Sequence, residues 1–138
     1  MPFKNPARFD QESGVKSFPV HAFLPGDTAA TAANYGRFFT APAKCVVDSV
    51  NAIWRTASTS GTLNIEKIPS GTAEGSGTAL LSSTIDMSGT ADTNNAGTLS
   101  TTSATVELAA GDSLALTDAG TLTNQADLAV TVGLHWIS

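Results

Sequence analysis

The chain has 138 residues, enough for one hydrophobic core and too few to fill two. Charged residues make up 14% against roughly 25% in an average globular protein, and a net charge of −5 disfavours nonspecific DNA or RNA binding, which needs Lys and Arg to displace counterions. An apolar content of 41% with Trp54, Trp136 and six Phe excludes wholesale disorder, and the single cysteine, Cys45, excludes an intrachain disulfide and a CxxC metal site.

Residues 1–17 hold two prolines, polar residues and no sustained periodicity, the pattern of an N-terminal arm ahead of a domain spanning 18–138. Lys4, Arg8 and Lys16 outnumber Asp10 and Glu12 there, whereas the rest of the chain holds four basic and ten acidic residues. A frayed terminus fits this composition. So does an arm that orders on a partner, and Phe3 and Phe9 speak for the second reading because they are wasteful on a free tail. No apolar run of about 7–15 residues follows the basic residues, and no run of about 18 spans a membrane, so a soluble intracellular product is expected. No Asn-x-Ser/Thr sequon occurs.

Along the domain, Phe18, Val20, Ala22 and Leu24 alternate on one face of a first strand, with Pro19 at its start or at a sheet edge, and Pro25-Gly26-Asp27 reads as the turn that ends it. The Ala-rich residues 28–35, the one helix candidate, read as a single helical turn or a loop, and 37–40 as a short strand. Residues 45–56 are the longest run, with Val46, Val50, Ala52 and Trp54 on one face, and Asp48 interrupting it at a bulge or an exposed stretch. Residues 62–68 place Leu63 and Ile65 inward and Asn64 and Glu66 outward, ending at Pro69. A flexible surface loop follows over 70–78, then an extended segment over 79–85, a loop over 89–93, a turn at Asn94-Asn95, and strands over 97–100, 105–108, 113–117 and 129–137. The last carries Val130, Val132, Leu134 and Trp136 on one face. Short strands punctuated by Gly, Asn, Asp and Ser predict an all-β chain, a β-sandwich or jelly-roll-like domain. Gly-Thr recurs at unequal spacing, which is not a repeat.

Catalytic residue types are sparse. Gly111-Asp112-Ser113-Leu114 spells the four-letter signature of a family of serine esterases, with His135 downstream. In that family the motif lies near the start of an α/β domain and an Asp-x-x-His supplies the base. Here it lies late in an all-β chain, no Asp sits three residues before His135, and Ser113 opens a strand whose Leu114 and Leu116 read as core, so a Gly-Asp turn explains the letters. The glycines at 71, 75 and 77 lack the Gly-Lys-Ser/Thr of a phosphate loop. His21 and His135 fall on outward strand positions with no third ligand at fixed spacing, which suits solvated or interface histidines. Asp86, Asp92, Asp112, Asp118 and Asp127 lie in or beside turns, where the side chain caps backbone N–H groups; calcium binding by such loops has no EF-hand spacing behind it. Trp54 and Trp136 are expected in the core rather than on a sugar-stacking platform, and Cys45 as a buried apolar residue.

Three phrases carry a resemblance to a known group. They are Gly26-Asp27-Thr28-Ala29-Ala30 through Asn34-Tyr35-Gly36-Arg37-Phe38-Phe39; Leu63-Asn64-Ile65-Glu66-Lys67-Ile68-Pro69-Ser70-Gly71-Thr72-Ala73 with Gly77-Thr78-Ala79-Leu80-Leu81; and Leu108-Ala109-Ala110-Gly111-Asp112-Ser113-Leu114-Ala115-Leu116. In their order they resemble small structural proteins of tailed bacteriophages, of the capsid decoration (cement) or head-fibre type. The resemblance implies a noncatalytic jelly-roll-like protein without a cofactor, made in the host cytoplasm and assembled as a homotrimer on the outside of a virion. It also implies that the arm reaches the major capsid protein or a neighbouring subunit, with Phe3, Lys4, Arg8 and Phe9 as the attachment residues. The alternative is a receptor- or glycan-binding module of a fibre or tail, contacting the host through the loops at 70–78 and 88–96. Neither loop holds the aromatic residue that would favour it.

Overall fold

The structure, a computed structural model, describes residues 16–27 and 36–137. Among the described residues, ten strands and one helical turn follow each other: β1 (Ser17–Asp27), β2 (Gly36–Thr40), β3 (Cys45–Ile53), β4 (Thr62–Ile68), β5 (Thr78–Ala79), β6 (Ile85–Asp86), β7 (Asn95–Ala96), α1 (Ser103–Val106), β8 (Glu107–Leu108), β9 (Ser113–Ala119) and β10 (Ala126–Trp136). Residues 28–35, read as a helical turn or a loop, lie outside the described residues.

All pairings are antiparallel and divide into two sheets, β1-β10-β3-β7 with β8 also on β3, and β2-β9-β4-β5 with β6 also on β4. The pairs are nested: β1 with β10, β2 with β9, β3 with β7 and β8, β4 with β5 and β6. This winding, split between two facing sheets, makes the chain an all-β sandwich of jelly-roll form.

Alternation along each strand explains the packing. Phe18, Val20, Ala22 and Leu24 of β1 turn toward the core opposite Leu134, Val132, Val130 and Leu128 of β10, all four of the latter buried. Lys16 accepts the Trp136 N–H through its carbonyl, so residues 16, 18, 20, 22 and 24 exchange hydrogen bonds with β10, and Pro19 turns its missing donor to the side away from β10, where no described strand pairs. A proline in that position blunts an edge that would otherwise template pairing with another chain. The expected turn at Pro25-Gly26-Asp27 does not end the strand; β1 continues to Asp27 through a register shift after Leu24.

In β3 the Asp48 interruption is a bulge. Gly133 pairs with Ser49 and Leu134 with Val47, leaving Asp48 as the extra residue. The bulge reverses the alternation, so Cys45 and Val47 point inward before it and Val50, Ala52 and Trp54 after it. Val46, expected inward, is therefore only half-buried. At 11 residues each, β1 and β10 both exceed the 9 of β3, which was expected to be longest.

Leu63 and Ile65 of β4 face the core as expected, and Glu66 does not face solvent. The segment between Pro69 and Thr78 folds back over the outer face of the second sheet, where Ile68, Ala115 and Glu66 are all buried outside the main core. Glu66 accepts the backbone N–H groups of Gly75 at 2.6 Å and Gly77 at 3.2 Å, and Glu74 pairs with Arg37 at 3.2 Å. Arg37 also donates to the Thr72 carbonyl at 2.7 Å, so the loop is tied down at Thr72, Glu74, Gly75 and Gly77. A Cβ on Gly77 would stand 2.4 Å from the Lys67 carbonyl oxygen, so only glycine admits this approach.

Two further expectations fail locally. Residues 105–108 form the end of α1 and the two-residue β8 instead of one strand; the Lys67 ammonium reaches this corner and donates to the carbonyls of Ala104 (2.5 Å) and Glu107 (3.0 Å). Pairing near 97–100 is shifted to Asn95–Ala96, with Leu99 joined to Leu81 by a single bridge.

Candidate functional site

Phe3, Lys4, Arg8 and Phe9, the expected attachment residues, lie outside the described residues. What the structure describes is where their segment joins the domain. At the start of β1, Phe18 stacks on Trp136 with ring centroids 4.2 Å apart and planes at 22°, and Phe39 lies 6.0 Å from Phe18. Three aromatic rings thus anchor the strand at its entry.

The residues of the esterase signature do not assemble. Ser113 is buried in the second sheet with its hydroxyl 3.2 Å from that of Thr40, and Asp112 accepts the Ala109 N–H at 2.9 Å as a turn cap. His135 lies in the first sheet, its Nδ1 2.8 Å from both oxygens of Asp48 at the bulge. Serine and histidine therefore serve different sheets and different partners. His21 is exposed, with Nδ1 3.3 Å from the Thr131 hydroxyl. Among the described residues, no group of three or more His, Cys, Asp or Glu is placed to hold a metal ion.

Trp54 is fully buried and donates its indole N–H to the Gly89 carbonyl at 3.3 Å, while Trp136 is half-buried in the stack above. Cys45 is fully buried, and burial followed by the nearby Asp112 charge pushes its thiol pKa up.

Two hollows lie on the surface. One, of about 400 Å³, opens between residues 83–89 and 94–98 and is lined by Thr84, Asp86, Asn94, Asn95 and Thr98 around Gly89 and Gly97. The Ser88 hydroxyl and backbone N–H donate to the Asp86 carboxylate at 2.6 and 2.9 Å, holding its pKa below the usual carboxylate range. Asn94 donates to Asn51 at 3.0 Å and Asn95 to the Thr93 carbonyl at 2.8 Å, which orients both amides. The other hollow, of about 370 Å³, lies on the outer face of the first sheet over Gly133, between Pro19 and Ser49 and beside Asp48. A Cβ at Gly133 would meet the Ser49 hydroxyl at 2.6 Å, so the absent side chain makes this depression. Sequence reasoning missed both hollows, since each depends on which strands lie side by side.

The chain matches no family model and no curated protein. Among solved structures it is similar to a chain of the disulfide-linked pili of Bacillus endospore appendages, at 15% identity and a TM-score of 0.40, covering 89% of this chain and 90% of that one. It is also similar to a chain of infectious bursal disease virus, Gx strain, at 14% identity and a TM-score of 0.38, covering 87% of this chain but 32% of that one. No helix among the described residues is long and apolar enough to cross a membrane.

Proposed function

We propose that this is a noncatalytic structural protein that decorates and stabilises the outside of a bacteriophage capsid, held by its N-terminal residues. The observation that carries the reading is the nested jelly roll, a rigid scaffold with dispersed titratable groups, entered by its leading segment beside the Phe18–Trp136 stack. Jelly rolls recur in viral capsid and lectin domains, and the fold alone selects neither. Arm composition favours the first: Phe3 and Phe9 supply apolar anchors, and Lys4 and Arg8 supply charge, for contact with the major capsid protein. Such a protein needs only modest contacts at each site, because symmetry-repeated attachment multiplies them.

The test is binding to capsids stripped of the protein. The full chain is expected to bind saturably, and a chain lacking residues 1–15, or carrying alanine at Phe3, Lys4, Arg8 and Phe9, to lose binding while keeping its β circular dichroism. Absence of saturable binding by the full chain overturns the reading.

The hollow at Asp86, Asn94 and Asn95 supports a second reading, a glycan-binding module of a fibre or tail. Its oriented amides and ionised carboxylate suit sugar hydroxyls. Binding of host-surface oligosaccharides that disappears in Asp86→Ala would favour it.

A further inference from the structure

Phe23 and Ile53 are exposed large apolar residues, 60% and 40% accessible. The register puts them on one cross-strand row, Phe23–Ala129–Ile53, on the outer face of the first sheet. Two outward rows away on the same face, Pro19–Gly133–Ser49 forms the floor of the 370 Å³ groove. Between them runs His21–Thr131–Asn51, a row without a carboxylate, lysine or arginine. The second sheet covers its own outer face with the 69–78 loop, whereas Pro19, His21, Ser49, Phe23 and Ile53 are exposed on the first.

We propose that this face is a two-fold contact with a second copy of the chain. A two-fold axis along the His21–Thr131–Asn51 row turns one copy so that its Phe23–Ile53 row lies over the Pro19–Gly133–Ser49 row of the other. Each copy thereby offers both the apolar knobs and the depression that receives them, as an isologous interface requires. Arg55 and Asp127, paired with each other, lie beyond the apolar row, and Asp48 and His135, likewise paired, lie beyond the groove. The rotation sets the Arg55 side of one pair toward Asp48 of the other copy, so the ion pairs of the two copies meet at the rim with unlike charges facing. The face measures about 26 Å along the strands and about 14 Å across three of them, from ~3.3 Å per residue and ~4.8 Å between strands. Two such faces bury about 700 Å², below the roughly 1,200 Å² at which stable interfaces begin, which makes this a weak, transient contact. The pair is therefore concentration-dependent, and it is a pair, not the trimer that the family resemblance implies. Nothing in this contact depends on the capsid reading.

Sedimentation velocity of the full chain from micromolar to millimolar concentration tests it. A monomer–dimer equilibrium is expected, with Phe23→Lys and Ile53→Lys each weakening it roughly tenfold or more at unchanged circular dichroism. In a second measurement, Thr131→Cys sits on the axis and is expected to cross-link to its counterpart with a short bismaleimide, while Thr101→Cys, on an exposed loop, does not. Buried Cys45 does not compete. A chain that stays monomeric, one that forms trimers, or lysine variants that dimerise like the wild type would each overturn the proposal.

Discussion

Replacing Glu66 by glutamine tests whether a buried carboxylate holds the 69–78 loop on the second sheet. Glu66 is 5% exposed, and its two oxygens separately accept the Gly75 and Gly77 N–H groups. Glutamine keeps the shape and one acceptor oxygen, but it sets an NH₂ against the other backbone donor. Losing charge assistance on one bond costs about 1 kcal/mol, and leaving a buried N–H unmatched costs about 1–3 kcal/mol, so the expected loss is about 2–4 kcal/mol. With a urea slope of about 2 kcal/mol per molar, the unfolding midpoint falls by about 1–2 M. Hydrogen exchange should localise the effect, with the Gly75 and Gly77 amides losing protection before the amides of β4 and β9. By contrast, Arg37→Ala removes an ion pair whose side chains are 40% and 35% exposed, and it is expected to cost less than about 1 kcal/mol. A Glu66→Gln midpoint within experimental error of the wild type, with both glycine amides still protected, would refute the role given to the carboxylate.

Further outcomes follow from neighbouring observations. Gly77→Ala forces a Cβ against the Lys67 carbonyl and should destabilise by about 1–3 kcal/mol in denaturant titration, releasing the same loop. Cys45 should resist a thiol reagent at neutral pH until the protein is unfolded in urea, because it is buried and its pKa is raised; rapid labelling of the folded chain would contradict this. The Asp86 carboxyl should titrate below the usual carboxylate range by NMR and move back up in Ser88→Ala, which removes the stronger of its two donors. Since its folded pKa is depressed, whatever this group adds to stability is present above its unfolded pKa and fades as pH falls through the folded value.

Where one strand decides the outcome, the sequence was legible. The alternation of β1, the edge position of Pro19, the bulge at Asp48 and the buried face of β10 all follow from period-two patterning and its interruptions. What the bulge does to the residues before it was not: Val46 and Val47 are both apolar, and only the pairing of Leu134 with Val47 settles which points inward. Glu66 was misplaced because its cover comes from a loop nine and eleven residues further on, a tertiary choice that overrides alternation. Val106 and Leu108 fit a strand by residue type, yet the chain turns through α1 to reach β3, where Leu108 pairs with Cys45. The two-fold face was half legible. Alternation in β1 leaves Phe23 outward, but its alignment with Ile53 exists only across the register of β10.

Whether the protein decorates the outside of a capsid is decided by counting its copies. Quantitative mass spectrometry with labelled peptides gives the copy number of this chain relative to the major capsid protein in purified virions. Copies commensurate with the shell lattice are expected of a decoration protein; a handful of copies per particle, or none, would rule decoration out.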